Sequence, residues 1–316
     1  MTASVGIVIG TRNRLEILKK CLKALVGKIN THHQIIVVDA GSTDGTIDYV
    51  SGLTAVRLVC DGKPIGQAKS LNRIFRTLNT TYACWLSDDN VVQSGMLDLA
   101  VQILEQNHKI GMVALKVKDV INNPTDKPYI GSIYKTGVLN CNQGVIRSDV
   151  FQKIGYFDES FKNYGIDSDL TTKVMLSGYR VVYTKAVAIH HFRDHETEGG
   201  AISKTERTKN RDRVHQKHNA KYSYLIESDF SSKCIMQIKS LVWQGIKTLN
   251  KALVKKGSRI EMFTGKNRKD WKNLTHCRYN SIFDFFFNRN HPYYLEQRIP
   301  KKILLSHKNP YKGLIP

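Results

Sequence analysis

The sequence lacks a long apolar run: no segment approaches the roughly 18 consecutive apolar residues of a membrane-spanning helix. Its N-terminus, MTASVGIVIGTRNR, has neither a basic lead-in nor an apolar core long enough for a secretory signal. The chain is therefore expected in the cytoplasm, either free or peripheral on the inner face of a membrane. Cysteine is sparse as well. Cys21, Cys60, Cys84, Cys141, Cys234 and Cys277 are widely scattered and form no CxxC pair, so they read as reduced thiols rather than a disulfide framework. No GxGxxG follows the first apolar segment, and no glycine-rich basic loop appears early in the chain. These absences weigh against a dehydrogenase and a nucleotidyltransferase respectively. There is no internal repeat and no low-complexity tract.

Acidic residues are also scarce, 27 Asp and Glu against 48 Lys and Arg, for a net charge of +21. The deficit is uneven. Residues 1–199 hold 23 basic against 19 acidic residues, leaving +4, whereas residues 200–316 hold 25 against 8, leaving +17. Such a field attracts phosphate-bearing partners: an anionic membrane, nucleic acid or a polyanionic glycan. Composition does not choose among them.

What is present is a chain of 316 residues, 41% hydrophobic and 24% charged, enough to bury a sizeable core. The run Val5 to Ile9 ends in Gly-Thr-Arg-Asn-Arg. Leu15, Leu18, Cys21, Leu22 and Leu25 follow at helical spacing, giving strand, loop and helix. The same grammar recurs: Ile35 to Val38 leads into Asp-Ala-Gly-Ser-Thr-Asp-Gly, then a short helix over Thr46 to Val50 and a strand over Val56 to Cys60. A helix is predicted from Gly66 to Leu78, and Tyr82 to Leu86 reads as a strand buried on both faces. After Gly111 to Leu115, the stretch Ile121 to Tyr134 reads as a loop. A helix from about Asp167 to Gly178 and strands over Tyr179 to Tyr183 and Val187 to Ile189 complete this part. The alternation predicts an α/β fold with a mainly parallel sheet, whose ligands bind beyond the C-terminal strand ends.

The polar stretch Arg193 to Thr208 marks a boundary, dividing an α/β domain, 1–200, from a basic and mainly helical C-terminal region, 201–316. Within the latter, Ile235, Ile238, Val242, Ile246, Leu249 and Leu253 form an apolar stripe among lysines.

Chemistry concentrates at Ser87-Asp88-Asp89-Asn90, two adjacent carboxylates at the end of a buried strand. Desolvation makes unpaired charge expensive there, and a divalent cation bridging a diphosphate would satisfy it. A plain turn cap is the alternative for an isolated Asp-Asp pair.

Four blocks in order now resemble the inverting GT-A nucleotide-sugar glycosyltransferases of family 2. They are Val8 to Arg14; Val37-Val38-Asp39-Ala40-Gly41-Ser42-Thr43-Asp44-Gly45-Thr46; Leu86-Ser87-Asp88-Asp89; and Gly155 to Glu159 leading to Gly165-Ile166-Asp167-Ser168-Asp169-Leu170. The resemblance spans residues 5 to about 192 and implies a GT-A, Rossmann-like sheet flanked by helices. It implies an inverting transfer from a UDP-sugar or dTDP-sugar donor to a glycan, lipid-linked or protein acceptor, and a Mn2+ or Mg2+ cofactor.

In that reading Thr11, Asn13, Arg14, Asp39 and Asp88 line the nucleotide-sugar site, with Lys69 and Asn72 on the preceding helix as further contacts. Asp89 is the metal ligand, since Ser87 stands where the family's first acid would be. His190 is the second ligand, by likeness to a family strand ending in His, with His191 beside it. Asp167 is the general base and Asp169 the fallback, while helix capping is the plainer role of both. An anionic membrane surface is a further implied partner, and nucleic acid recedes. The competing reading is an inactive GT-A-like protein that binds membrane or polyanion through its basic tail.

Overall fold

The computed structural model describes residues 3–26, 32–121, 128, 131–192, 204–227, 287–288, 291–297, 303 and 309–311. The apolar stripe from Ile235 to Leu253 lies outside them.

The first half repeats strand and helix: β1 (Val5–Thr11), α1 (Leu15–Leu25), β2 (Gln34–Asp39), α2 (Thr46–Ser51), β3 (Val56–Cys60), α3 (Gln67–Phe75) and β4 (Tyr82–Ser87). Then follow β5 (Asn90–Val92), α4 (Met96–Gln106), β6 (Ile110–Ala114), β7 (Val117–Asp119), β8 (Gly144–Arg147), α5 (Ser148–Lys153), α6 (Ile166–Leu176), β9 (Arg180–Thr184) and β10 (Ile189–His191). The remaining described elements are α7 (Lys204–Lys221), α8 (Ser223–Glu227), β11 (Phe287–Asn288) and β12 (Tyr294–Gln297).

The main sheet has the order β11-β12-β9-β6-β8-β4-β1-β2-β3. Only β8 and β12 run against its other strands. A strand's side chains alternate faces, and here both faces are covered. Ile7, Ile9, Val37, Cys84 and Leu86 pack with α1 and α4, whereas Val8, Ile36, Val38, Ala83 and Trp85 pack with α3, α5 and α6. Helix α1 buries Leu18, Cys21, Leu22 and Leu25, the i, i+3, i+4, i+7 stripe its sequence announces. Helix α6 is different: every residue except Asp167 is buried, so it is enclosed all round. Gly6 admits β1 to its place because a Cβ there would meet the Leu78 side chain at 2.6 Å.

Two boundaries differ from the sequence expectation. Helix α3 stops at Phe75, with Arg76 as its C-cap, rather than running to Leu78. The polar stretch read as a boundary contains the start of α7, and β12 pairs antiparallel with β9. A division at residue 200 therefore does not separate two sheets, since a C-terminal strand completes the first one. Strands β5, β10 and β7 form a second sheet at the edge of the strand ends, with His191 opposite Asn90 and Asp119. No described helix is long and apolar enough to cross a membrane.

Candidate active site

The C-terminal ends of β1, β2 and β4 lie side by side in the parallel half of the sheet, with Thr11 in register with Asp39 and Gly10 with Ser87. This is where the fold delivers polar side chains. Asp88 and Asp89 follow β4 directly and are 3% and 4% exposed, so their charges need partners. Asp88 accepts a hydrogen bond from Thr11 Oγ1 at 2.8 Å and another from Arg14 Nη1 at 2.7 Å. Asp89 Oδ2 is 3.2 Å from Arg14 Nη2 and also 3.2 Å from His191 Nε2. Arg14, the N-cap of α1, thus spans both carboxylates with its guanidinium. Asn90 fixes the turn: its side chain accepts from Ser87 N at 2.9 Å and donates to Asp89 Oδ1 at 3.2 Å. Burial opposes ionisation of Asp89, but the His191 hydrogen bond, the charge of His191 and Arg14 outweigh it. They hold its carboxyl well below the usual carboxylate range.

It is the side chain of His191, not that of His190, that meets Asp89. Neighbours on a strand point to opposite faces. His191 is buried and its Nδ1 lies 2.7 Å from Asp119 Oδ1, while His190 is partly exposed. A metal-binding imidazole usually donates its other ring N–H to a carboxylate, and Asp119 holds Nδ1 of His191 in that way. Two ligands about 2.1 Å from a cation and at right angles to one another are about 3 Å apart. The 3.2 Å between Asp89 Oδ2 and His191 Nε2 fits that separation. No group of three or more His, Cys, Asp or Glu side chains is gathered for a metal among the described residues. Asp89 and His191 are therefore two donors, one oxygen and one nitrogen, that would fill only part of a divalent cation's shell.

The other nucleotide-side residues divide. Asp39 is 0% exposed, and its Oδ1 accepts from Gly41 N and Ser42 N, both at 2.8 Å, while Ser42 Oγ donates to its Oδ2. Its carboxylate builds the turn after β2. Asn13, at φ 50°, ties the first loop to the second by donating from its N to Ser42 Oγ at 2.8 Å and accepting from Thr43 N at 2.7 Å. Asn72 is buried, with its amide engaged by the protein itself. Its side chain donates to Phe157 O at 2.9 Å and to Glu159 Oε1 at 3.0 Å, and accepts from Phe157 N at 3.0 Å. Lys69 is exposed, and the neighbouring Arg73 pairs with Asp61.

On the α6 side, Asp167 and Asp169 have separate environments. Asp169 is fully buried, accepts from Tyr222 Oη at 2.8 Å and Lys221 Nζ at 2.5 Å, and lies 3.8 Å from Lys173 Nζ. It anchors α7 and the residue after it to α6. Asp167 is partly exposed and takes a hydrogen bond from Asn140 Nδ2. Burial raises its pKa to about 6, against the opposing pull of the Asn140 amide and local backbone N–H groups. A carboxylate with that pKa is ionised at neutral pH and still accepts a proton readily. Asn90, Asp119, Asn140 and His191 were not among the expected site residues, although His191 was noted as the neighbour of His190.

A family model described as "Glycosyl transferase family 2" matches residues 6–165. No curated protein sequence matches the chain. Among solved structures it is similar to S. aureus TarS residues 1–349, with a TM-score of 0.50, 16% identity and coverage of 60% of each chain. It is also similar to the same TarS fragment in complex with UDP, with a TM-score of 0.54 and 14% identity, covering 86% of this chain and 78% of the other. The mannosyltransferase PcManGT from Pyrobaculum calidifontis in complex with GDP-Man and Mn2+ aligns at a TM-score of 0.48 and 19% identity, over 62% of this chain and 58% of that one. The chain thus spans about 60% of the length of the first of these.

Proposed function

The chain belongs to glycosyl transferase family 2, with a GT-A fold, and from that premise we propose that it is an inverting transferase of nucleotide-activated sugars. The observation that carries the reading is the division of acids between two places. Asp88 and Asp89 sit with Arg14, Thr11 and His191 at the end of β4, and Asp167, with its raised pKa, sits at the start of α6.

The first group serves the leaving group. Arg14 presents a guanidinium to the region where a diphosphate would develop charge, and Asp88 and Thr11 hold it there. Asp89 and His191 would bind Mn2+ or Mg2+, which when bound supplies positive charge to the departing diphosphate. The second group serves the acceptor. Asp167 takes the proton of an acceptor hydroxyl as that oxygen forms its bond to the anomeric carbon. The bond from that carbon to the diphosphate oxygen breaks, and its electron pair leaves with the nucleotide. A single displacement inverts the anomeric centre. Asn140 holds the Asp167 carboxylate in one orientation while this happens.

The donor class we infer is a UDP-sugar or dTDP-sugar, in keeping with the UDP held by one TarS structure of similar fold. A glycan or lipid-linked glycan is the acceptor class. Incubation with a panel of nucleotide-sugars and Mn2+, followed by NMR of the product's anomeric proton, tests the proposal. The expected product has the configuration opposite to that of the donor; retention of configuration, or no turnover of any donor, overturns it.

A further inference from the structure

A cavity of about 450 Å³ lies between the loop 160–164 and α7. Lys162, Arg213 and Lys217 line it, with the amides of Asn163 and Asn210 and the ring of Tyr164, which is 56% exposed. The lining holds no carboxylate.

The acids that precede the loop are engaged elsewhere, and exposed Asp212, beside Arg213 in sequence, lies 3.8 Å from Arg211. Glu159 receives Asn72 Nδ2 at 3.0 Å and Arg76 Nη2 at 3.2 Å, and Asp158 receives Lys221 Nζ at 2.6 Å and Ser160 N at 2.9 Å. Among the described residues no carboxylate pairs with Lys162, Arg213 or Lys217. Arg213 reaches only the neutral Asn210, at 3.5 Å, and Lys217 donates to Ser160 O while lying 4.6 Å from the Phe161 ring. Three exposed like charges around one concavity raise the local concentration of anions. Their loop is also held in place. Lys162 has φ +57°, in the left-handed region that a non-glycine residue adopts only when its surroundings hold it there. Its carbonyl accepts from Ala68 N at 2.8 Å, and Asn163 Oδ1 accepts from Gln67 N at 2.9 Å.

One lining residue, Val214, touches the segment that leads into Asp167. Helix α7, which supplies Arg213 and Lys217, presses Val214 against Gly165, so that a Cβ there would meet it at 2.6 Å. Gly165 is the N-cap of the helix that carries Asp167. One residue further along α7, His215 stacks on Tyr134 with ring centroids 4.2 Å apart. We propose that this cavity binds a phosphate group of the acceptor and thereby positions the acceptor's hydroxyl for transfer. The inference rests on the transferase reading, because only that reading makes Asp167 the acceptor side. A guanidinium and two ammonium groups match the charge and oxygen geometry of a phosphate, the neutral amides add donors, and the Tyr164 ring offers a face to an adjoining sugar.

The test is a titration of the full 15N-labelled chain with glycerol 3-phosphate, with sodium acetate and glycerol in parallel. It is run on the wild type, on Lys162→Gln/Arg213→Gln and on Asp89→Ala. Saturable shifts at residues 160–164 and 210–217 are expected with glycerol 3-phosphate alone. Loss of two charge-assisted hydrogen bonds should weaken binding by about tenfold or more in the double variant. Asp89→Ala should bind as the wild type does. The double variant's remaining signals should superpose on the wild type's, which separates lost binding from lost fold. Equal affinity in the double variant, acetate binding as tightly as the phosphate ester, or shifts confined to Thr11–Arg14 and Asp88–Asp89 would overturn the proposal. Donor turnover by the wild type is scored in a separate assay. Phosphate binding at 160–164 without cleavage of any nucleotide-sugar therefore contradicts the transferase reading and not the pocket.

Discussion

His191 Nε2 stands 3.2 Å from Asp89 Oδ2, while Nδ1 of the same ring lies 2.7 Å from Asp119 Oδ1. The imidazole is thereby fixed between Asp119, the last residue of β7, and Asp89, in the turn that joins β4 to β5. Its neighbour His190 has no such place.

This geometry predicts that His191→Ala weakens Mn2+ binding by about 10- to 100-fold, the range seen when the supporting structure of a metal site is disrupted. His190→Ala should leave it within about twofold of the wild type. Electron paramagnetic resonance of free Mn2+ during titration reads both. The reverse ranking would move the metal to the other face of β10.

Asp167→Asn should lower kcat by about 10² or more and leave donor affinity unchanged, since proton acceptance is lost and shape is kept. In the wild type, kcat/KM should rise with pH through about 6, as the base ionises. That limb should vanish in the variant. The stability sign runs the opposite way: a carboxyl whose folded pKa is raised binds its proton more tightly in the folded state, so ionisation costs stability as pH climbs from the unfolded value to about 6. The Asn variant should therefore melt no lower than the wild type at pH 7. A clearly lower melting temperature would show that the Asp167 carboxylate is structural.

Asp169→Asn should act on the fold. Breaking a buried pair typically costs about 3–5 kcal/mol, and here Lys221, Lys173 and Tyr222 all lose a charged partner. Thermal unfolding should show a markedly lower midpoint, whereas kcat per folded molecule should stay near the wild-type value. A normal midpoint with kcat reduced by 10² would instead make Asp169 the base.

Much of the main sheet was legible in the sequence because its signals are local. The apolar runs of β1, β2 and β4 and the i, i+3, i+4 stripe of α1 depend on a few neighbouring residues. The suspicion of Asp88 and Asp89 followed from the rule that parallel strands present ligand sites at their C-terminal ends, while Thr11 and Arg14 were expected there from the resemblance to family 2. What escaped was long-range. The choice between His190 and His191 turns on which face of β10 looks toward β4, and that depends on pairing with β5 and β7. Asn140 comes from a stretch without periodicity, and its amide reaches Asp167 across 27 positions. Asn72 was expected at the site from its likeness to a recurrent family Asn, and the contact its amide makes with the turn at Phe157, 85 positions away, is not a local signal. Strand β12 has only four residues, too few to show alternation, and is fixed by its partner β9.

In the proposed reaction a diphosphate binds at Asp89 together with a divalent cation. Calorimetric titration of the protein with UDP, with and without Mn2+, in the wild type and in Asp89→Ala, tests it most directly. Mn2+ should tighten UDP binding to the wild type by about tenfold or more, an energy within reach of one cation bridging carboxylate and phosphate. Asp89→Ala should bind UDP weakly and equally under both conditions. Enhancement by Mn2+ that survives in Asp89→Ala would contradict the account.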